Sequence, residues 1–579
     1  MRIIAAVPAK LPTNSELAER FELLADMLEL DGADAFRLSA YRRAAARIRE
    51  SAVPVAQLAV DGKATRLSGI GGTIESKIVE VVETGDMAAM AKLRAKLPPG
   101  LVEVMHVPGL GPKTARKLWS ELGVETLDDL KAAAEQERLR GLPGLGPKSE
   151  EKVLKALTTP ARASAETGRT LLGRALPAVR RAVSEIEASG LADRVSEAGS
   201  VRRRAETTKD LDLIATAEDA PALLAFFVSR EWVAEVVAQG GTKATVISHE
   251  GLRFDLRVVP PECYGNLLQH FTGSKDHNVA MREDAVKRGF SVSEYGVLHV
   301  ESGETFQAAD EEQVYAHLGY AWIPPELREN RGELEAAREG ALPQLVELGD
   351  LKGDLHMHTD WSDGRATLEA MVLAAKEHGH RYVAICDHAR RLRDGRLEAQ
   401  TKAIAELQER VSGITILAGI EVDIRAHGSL DYDDEALAAR DWVMASIHSG
   451  FDGSRERLTE RLLAAMQNPF VDCIGHPTGR KINRRRPYEL DFERVCEVAV
   501  ETGTFLEINA QPDRLDLTDT LARAAADAGV GIVVSTDAHR LHELDNLELG
   551  VAQARRGWIT AEQVVNTRTW AQVKKLKKG

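Results

Sequence analysis

Cysteine is scarce in this chain: 579 residues contain four, Cys263, Cys386, Cys473 and Cys496, and none stands in a CxxC pair. That excludes a disulfide framework and a zinc knuckle and leaves reduced, buried thiols. Long apolar runs are missing too, since nothing approaches the roughly 20 residues that span a bilayer. The opening MRIIAAVPAK is broken by Pro8 and Lys10 before any signal-peptide core can form, so the expected location is the cytoplasm, with no membrane partner. A general excess of positive charge is also absent. The net charge is -14, so any grip on nucleic acid must be local, through groups such as Arg42, Arg43, Arg47 and Arg49 or Arg202, Arg203 and Arg204. What is present, 44% hydrophobic and 28% charged residues, is ordinary globular composition, and the length calls for several separate cores.

The first 160 residues carry helical periodicity interrupted by three similar segments: LSGIGGTIESKIVEVVETG from Leu67, VPGLGPKTARKLWSELGV from Val107 and LPGLGPKSEEKVLKAL from Leu142. Each sets a Gly-x-Gly turn (Gly69 and Gly71, Gly109 and Gly111, Gly144 and Gly146) before a helix that carries a lysine, Lys77, Lys117 or Lys152. Glycine lets the backbone approach a ligand closely, and the amides opening a helix present donors and positive dipole to a phosphate. One such turn is usually just a helix end. Three in succession point to sequence-independent DNA backbone binding, and the form resembles the helix-hairpin-helix motif.

From about residue 161 to 325 the pattern is mixed, with strand-like runs LDLIAT, ATVIS and LRFDLRVV. Asp210 and Asp212 in GSVRRRAETTKDLDLIAT share one strand face by the period of two, and Asp255 in RFDLRVV is the third carboxylate. Such a cluster suits two-metal phosphoryl transfer with Mg2+ or Mn2+. From about Leu351, runs such as YVAICDH, TILAGIEVDI, WVMASIHSG, VDCIGHP, TFLEINA and GIVVSTDAH alternate with helical segments, which predicts a barrel-like α/β domain. Ten of the sixteen histidines lie beyond residue 350. His356, His358, His388, His448, His476 and His539, with Asp363, Glu421 and Asp537, stand beside turns at strand ends, a nitrogen and oxygen donor set for about three ions of zinc, manganese or iron. His378, His380, His427 and His542 fall outside this pattern. The charged, proline-bounded stretch at 326–349 reads as a linker or connecting helix.

Residues 13 to 325 resemble the family X DNA polymerases of the DNA polymerase beta type, through the Gly199-Ser200 pair, Arg203, the Asp-x-Asp and HFTGSKDHNVAMR. The resemblance implies that Asp210, Asp212 and Asp255 are catalytic. It also implies that Gly199, Ser200, Arg203, Lys275 and Asn278 contact the nucleotide and that Arg282 lies near the template. His270 stands where a tyrosine is usual, Lys275 where an acid is, and Arg204 and Lys209 where glycines are. FRLSAYRRAAARI and the first hairpin resemble that family's lyase domain, in which Lys77 aligns with the Schiff-base lysine; with Thr73 in place of a lysine, Lys77 reads better as a phosphate contact. Residues 353 to about 570 resemble the polymerase and histidinol phosphatase (PHP) domain, with all nine ligand positions filled.

The expected architecture is therefore an all-α helix-hairpin-helix region, an α/β nucleotidyltransferase palm with a thumb, and a distorted (β/α) barrel of PHP type. Its boundaries are a lyase-like domain at 1–92, fingers at 93–160, palm at 161–261, thumb at 262–325, linker at 326–349 and barrel at 350–579. The implied function is gap filling in DNA repair, by base excision or end joining, acting as a monomer on gapped or nicked DNA with dNTPs. The barrel would add 3′-5′ exonuclease, abasic endonuclease and 3′-phosphatase activity. Two alternatives differ in class: a small-molecule phosphatase with an accessory DNA-binding front, and a non-enzymatic scaffold. The hairpin repeats weigh against the first and the intact carboxylates against the second.

Overall fold

The structure is a computed structural model that describes residues 11–51, 53–67, 69–107, 110–158 and 169–578. The chain forms two compact units that divide between residues 166 and 167.

The first unit is helical throughout its described residues. Thr13 and Glu16 form a reciprocal cap on the helix Asn14–Leu30, and Asp34 caps Ala35–Glu50. Leu17, Phe21, Leu24, Tyr41 and Ile48 lie buried in a core shared by these helices and those that follow. In the first and second repeats the helix begins directly after the second glycine of the turn, at Gly72 and Pro112, and in the third at Pro147. Gly69 and Gly144 adopt φ of +85° and +94°, a conformation that costs other residues appreciably, which is why glycine recurs there. Gly109 lies outside the described residues.

The second unit contains the palm sheet, β1 (Arg194–Glu197), β2 (Asp210–Thr216), β3 (Val233–Gln239), β4 (Lys243–Ser248) and β5 (Arg253–Val258), in the order β1-β2-β5-β4-β3. Only β2 and β5 pair in parallel, with Asp212 opposite Asp255. Leu211 and Leu213 alternate with the aspartates and enter the core beneath the helix Leu172–Ser189. The thumb carries the helices Tyr264–Thr272 and Lys275–Lys287 and a small antiparallel sheet of β6 (Phe290–Ser293), β7 (Gly296–His299) and β8 (Thr305–Phe306).

Residues 326–349, expected as a linker or connecting helix, hold the helix Glu333–Glu339 and pack against the thumb. Leu327, Leu334, Ala337 and Leu345 share its core with Met281 and Tyr315. Two of the segment's charges are buried and matched, Arg328 with Glu311 and Glu333 with His277, while Glu335, Arg338, Glu339 and Glu347 stay exposed.

Seven parallel strands follow: β9 (Gly353–Met357), β10 (Tyr382–Ile385), β11 (Thr415–Asp423), β12 (Trp442–Ser446), β13 (Cys473–Gly475), β14 (Phe505–Asn509) and β15 (Ile532–Ser535). They lie in sequential order, and bonds from His358 N to Ala538 O and from Asp537 N to His356 O bring the last strand back to the first. The result is a nearly closed barrel whose first strand, β9, carries His356 and leads directly into His358. Every residue in β9, β10, β12, β14 and β15 is buried, which accounts for the mostly apolar runs of β10, β12 and β15 and leaves Asp354, His356, Glu507 and Asn509 as buried polar groups on β9 and β14. The barrel packs directly on the palm: Leu515 and Leu549 enter the palm core, and Arg480 pairs with Glu206 at 2.7 Å.

Candidate active sites

In the palm, the parallel pairing of β2 and β5 puts Asp210, Asp212 and Asp255 on one face. Asp255 accepts from Thr245 Oγ1 at 2.5 Å, Arg253 Nε at 3.0 Å and Lys243 Nζ at 3.1 Å. Burial opposes its charge, yet these donors hold its pKa below the ordinary value. Arg253 Nε also stands 3.4 Å from Asp210 Oδ1. Asp212 has no comparable support, and burial followed by repulsion from Asp255 and Asp210 pushes it up to about 6. Three carboxylates, one of them poorly compensated, fit a hard divalent cation with oxygen ligands. Gly199, at φ +63°, lies against this group so closely that a Cβ would collide with Asp212 Oδ2.

The short helix Gly199–Arg202 leads from that contact to the expected nucleotide residues. Ser200 Oγ lies 2.7 Å from Thr208 Oγ1, which donates to Asp210 O. Arg203 donates from Nε to Glu329 and from Nη1 to Thr272 O, and its own carbonyl accepts from Arg556 of the barrel. Glu329 and Arg556 escaped the sequence reading because 126 and 353 positions separate them from Arg203. Asn278 ties the thumb together, donating to His270 O and Gly273 O, and Arg282 lies 3.0 Å from His270 Nδ1. Burial, with Arg282 adding to it, lowers the His270 pKa. Lys275 is the first residue of its helix.

In the helical unit, Lys117 Nζ donates to Pro143 O in the neighbouring turn, and Lys77, with 18% of its side chain exposed, lies 3.9 Å from Glu80. Lys152 is on the helix Pro147–Thr158.

The barrel gathers all nine expected donors at the carboxyl ends of its strands. Three sets have donor atoms mutually within 4.8 Å: His358, Asp363, His388 and His539; His356, His358 and Asp537; His388, Glu421 and His448. His476 Nε2 stands 3.3 Å from Glu421 Oε1. His356 Nε2 and His358 Nε2 face one another at 3.2 Å, His358 Nδ1 and His476 Nδ1 are buried without a hydrogen-bond partner, and the buried Glu421 carboxylate meets only histidine nitrogens, His388 Nδ1 at 2.7 Å and His448 and His476 Nε2 at 3.3 Å. Buried donors and acceptors are normally satisfied, so converging lone pairs with none fit divalent metal ions. Two of the donors, His476 and Asp537, hold φ of +30° and +53°, left-handed backbone that non-glycine residues rarely adopt.

Behind the donors lies a layer that the sequence reading missed. Glu507 on β14 accepts from His356 Nδ1 at 2.7 Å, His476 N at 2.6 Å and Ser535 Oγ at 2.6 Å. Asp423 accepts from His448 Nδ1, and Asn509 donates to Asp537. Such partners fix the ring tautomer and aim the other nitrogen inward. An acid and an amide inside the apolar run FLEIN were the available signal. A cavity of about 360 Å3 opens over the donors, and Arg365, Lys481, Arg514 and Arg540 bring positive charge to its lining.

Residues 12–87 match the helix-hairpin-helix domain, 101–159 the SAM-like helix-hairpin-helix tandem, 267–329 the DNA polymerase beta thumb and 354–511 the PHP domain. Fold, donor sets and these matches together define a DNA polymerase of the beta type joined to a PHP barrel. The DNA polymerase/3′-5′ exonuclease PolX of Bacillus subtilis (strain 168) is 40% identical over 566 residues, 96% of this chain and 98% of the relative. This chain belongs to the family X DNA polymerases with a C-terminal PHP domain. Probable phosphatases of Thermoanaerobacter sp. (strain X514) and Edwardsiella ictaluri (strain 93-146) are 32% and 30% identical, each covering 37% of this chain and 89% of the relative. No helix among the described residues is long and apolar enough to cross a membrane.

Proposed function

We propose that this protein fills short gaps in DNA with dNTPs and trims 3′ ends in the same chain, serving repair by base excision or end joining. The observation that carries the reading is the presence of two complete donor sets of different chemistry: three carboxylates on β2 and β5, and nine histidines and carboxylates at the barrel rim. Asp210, Asp212 and Asp255 would hold two Mg2+ or Mn2+ ions, and the barrel set about three ions of Mn2+, Zn2+ or Fe2+. When bound, such ions activate the attacking oxygen and take up phosphate charge in both sites.

The chain's own residues do the positioning. Gly199 leaves room for Asp212, and Ser200 and Arg203 offer donors to a triphosphate one short helix away from the carboxylates. Lys275 and Asn278 complete the nucleotide contacts, and Arg282 with His270 faces the template side. In the helical unit, the turns at Gly69, Gly71, Gly109, Gly111, Gly144 and Gly146, with Lys77, Lys117 and Lys152, would grip DNA phosphates without reading bases. In the barrel, Glu507 and Asp423 orient their histidines, while the cations of the cavity lining pair with the scissile phosphate. Domain boundaries near residues 92, 160 and 261, a monomeric state and a cytoplasmic location belong to the same reading.

A 5′-labelled primer on gapped DNA with Mn2+ tests it. Asp210→Ala with Asp212→Ala abolishes extension and leaves trimming, and His356→Ala with His358→Ala does the reverse. If intact protein neither extends nor trims, a small-molecule phosphatase becomes the better reading.

A further inference from the structure

Of the segment between His476 and Tyr488, the two active sites use only Lys481, at the cavity lining. The segment reads HPTGRKINRRRPY and holds five cations in seven positions, Arg480 to Arg486, with no acid among them, in a chain of net charge -14. Lys481 and Arg485 pair as a narrow hairpin, with N to O bonds of 2.9 and 2.7 Å in the two directions, and Asn483 turns the tip at φ +61°. Asparagine tolerates that left-handed conformation better than most residues.

Both flanks of the hairpin are fixed. On the palm side, Arg480 binds Glu206, Ile482 packs on the palm core and Asn483 Nδ2 donates to Arg169 O. On the barrel side, Arg485 donates from Nε to Gly479 O, and its guanidinium lies 3.9 Å from the Phe451 ring centroid. Lys481, held by Asp513, lines the cavity over the donors. Arg484 and Arg486 are exposed beside it. Glu206 and Asp513 offset Arg480 and Lys481, and the exposed Arg484 and Arg486 extend the cationic edge outward from the cavity, an arrangement that suits a polyanion laid along it.

We propose that this hairpin is a phosphate track for single-stranded nucleic acid, along which a 3′ end reaches the barrel cavity. The inference rests on the phosphoesterase reading of the barrel. A cavity of about 360 Å3 has room for the end of one strand but not for the width of a duplex, so the strand is assigned as single where it enters from the hairpin. Cations that follow one another on a hairpin match a flexible backbone whose phosphates adjust to them, without any reading of bases.

The test uses the full chain with Arg484→Ala and Arg486→Ala combined. Two substrates are compared, a 5′-labelled single-stranded oligonucleotide and the p-nitrophenyl ester of thymidine 5′-monophosphate. The expected result is an oligonucleotide KM raised about tenfold, with kcat and ester hydrolysis unchanged. The dependence of log KM on log salt should weaken by about 1.4, at roughly 0.7 for each lost phosphate contact. Lysine at both positions should restore most of the affinity. An unchanged oligonucleotide KM overturns the proposal, as does an equal loss on both substrates. If intact protein leaves the ester whole, the phosphoesterase reading is what fails. The track is then judged by photocrosslinking a strand that carries 4-thiothymidine at its 3′ end: a crosslink within residues 479–490 supports it, and crosslinks confined to other segments overturn it.

Discussion

Replacing Arg556 with methionine should weaken the joint between palm, thumb and barrel and, through it, the binding of the incoming nucleotide. Arg556 is buried and donates to Glu329 at 2.9 Å, to Asp519 at 2.8 Å and to the carbonyl of Arg203 at 2.9 Å. Glu329 and Asp519 each keep a second arginine, Arg203 at 3.0 Å and Arg331 at 2.9 Å. The loss should therefore fall below the roughly 3–5 kcal/mol that follows when a buried charge is wholly abandoned, at about 2–4 kcal/mol. For a unit of this size that corresponds to a melting temperature lower by roughly 2–5 °C. Burial opposes the charge of Glu329, but Arg556 and Arg203 hold its pKa at about 2, below the ordinary 4.5. A depressed folded value contributes stability that is present above about 4.5 and lost as the pH falls towards 2. With one arginine gone, the acid unfolding midpoint should move upward. Tryptophan fluorescence follows both transitions, since Trp558 lies against Arg523 near this joint. Because Glu329 orients Arg203, the KM for dNTP should rise severalfold while trimming of a single strand is unaffected. Unchanged melting together with unchanged KM would refute the reasoning. A fall in melting with an unaltered KM would leave the joint structural and detach it from the nucleotide.

Other outcomes follow from the same geometry. Asp212 has a folded pKa of about 6 against an ordinary 3.8, so its charge destabilises the metal-free protein above pH 6 and the cost disappears below 3.8. Asp212→Asn should thus raise the melting temperature at pH 7.5 by relieving up to about 3 kcal/mol, bring no gain at pH 4 and remove extension. Gly199→Ala adds a Cβ against Asp212 Oδ2 on a left-handed backbone; primer extension should fail while exonuclease activity persists. Glu507→Gln keeps the shape but drops the charge that His356, His476 N and Ser535 address. Titration of trimming with Mn2+ should show a metal affinity weaker by about 10–100-fold, with extension intact.

How far such sites can be read from sequence depends on whether a residue's role is set locally or across the fold. Asp210 and Asp212 were legible because the strand period alone puts them on one face, and Asp255 because its own strand carries the same alternation. The nine barrel donors were legible for a different reason: histidines beside turns are conspicuous against apolar strands, so their number compensated for the weakness of each. Glu507 and Asn509 have roles as definite, yet they sit inside β14, where the acid is explained only once His356, 151 positions away, is known to lie opposite, and the amide only once Asp537 is. At 326–349 the charged, proline-bounded composition suggested a linker or connecting helix but could not show that Arg328 closes on Glu311 and Glu333 on His277, pairs that let the segment's leucines join the thumb core. Charge in this chain also marks a joint: Arg203, Glu329, Arg556, Asp519 and Arg331 link the barrel to the end of the palm at residues 199–203.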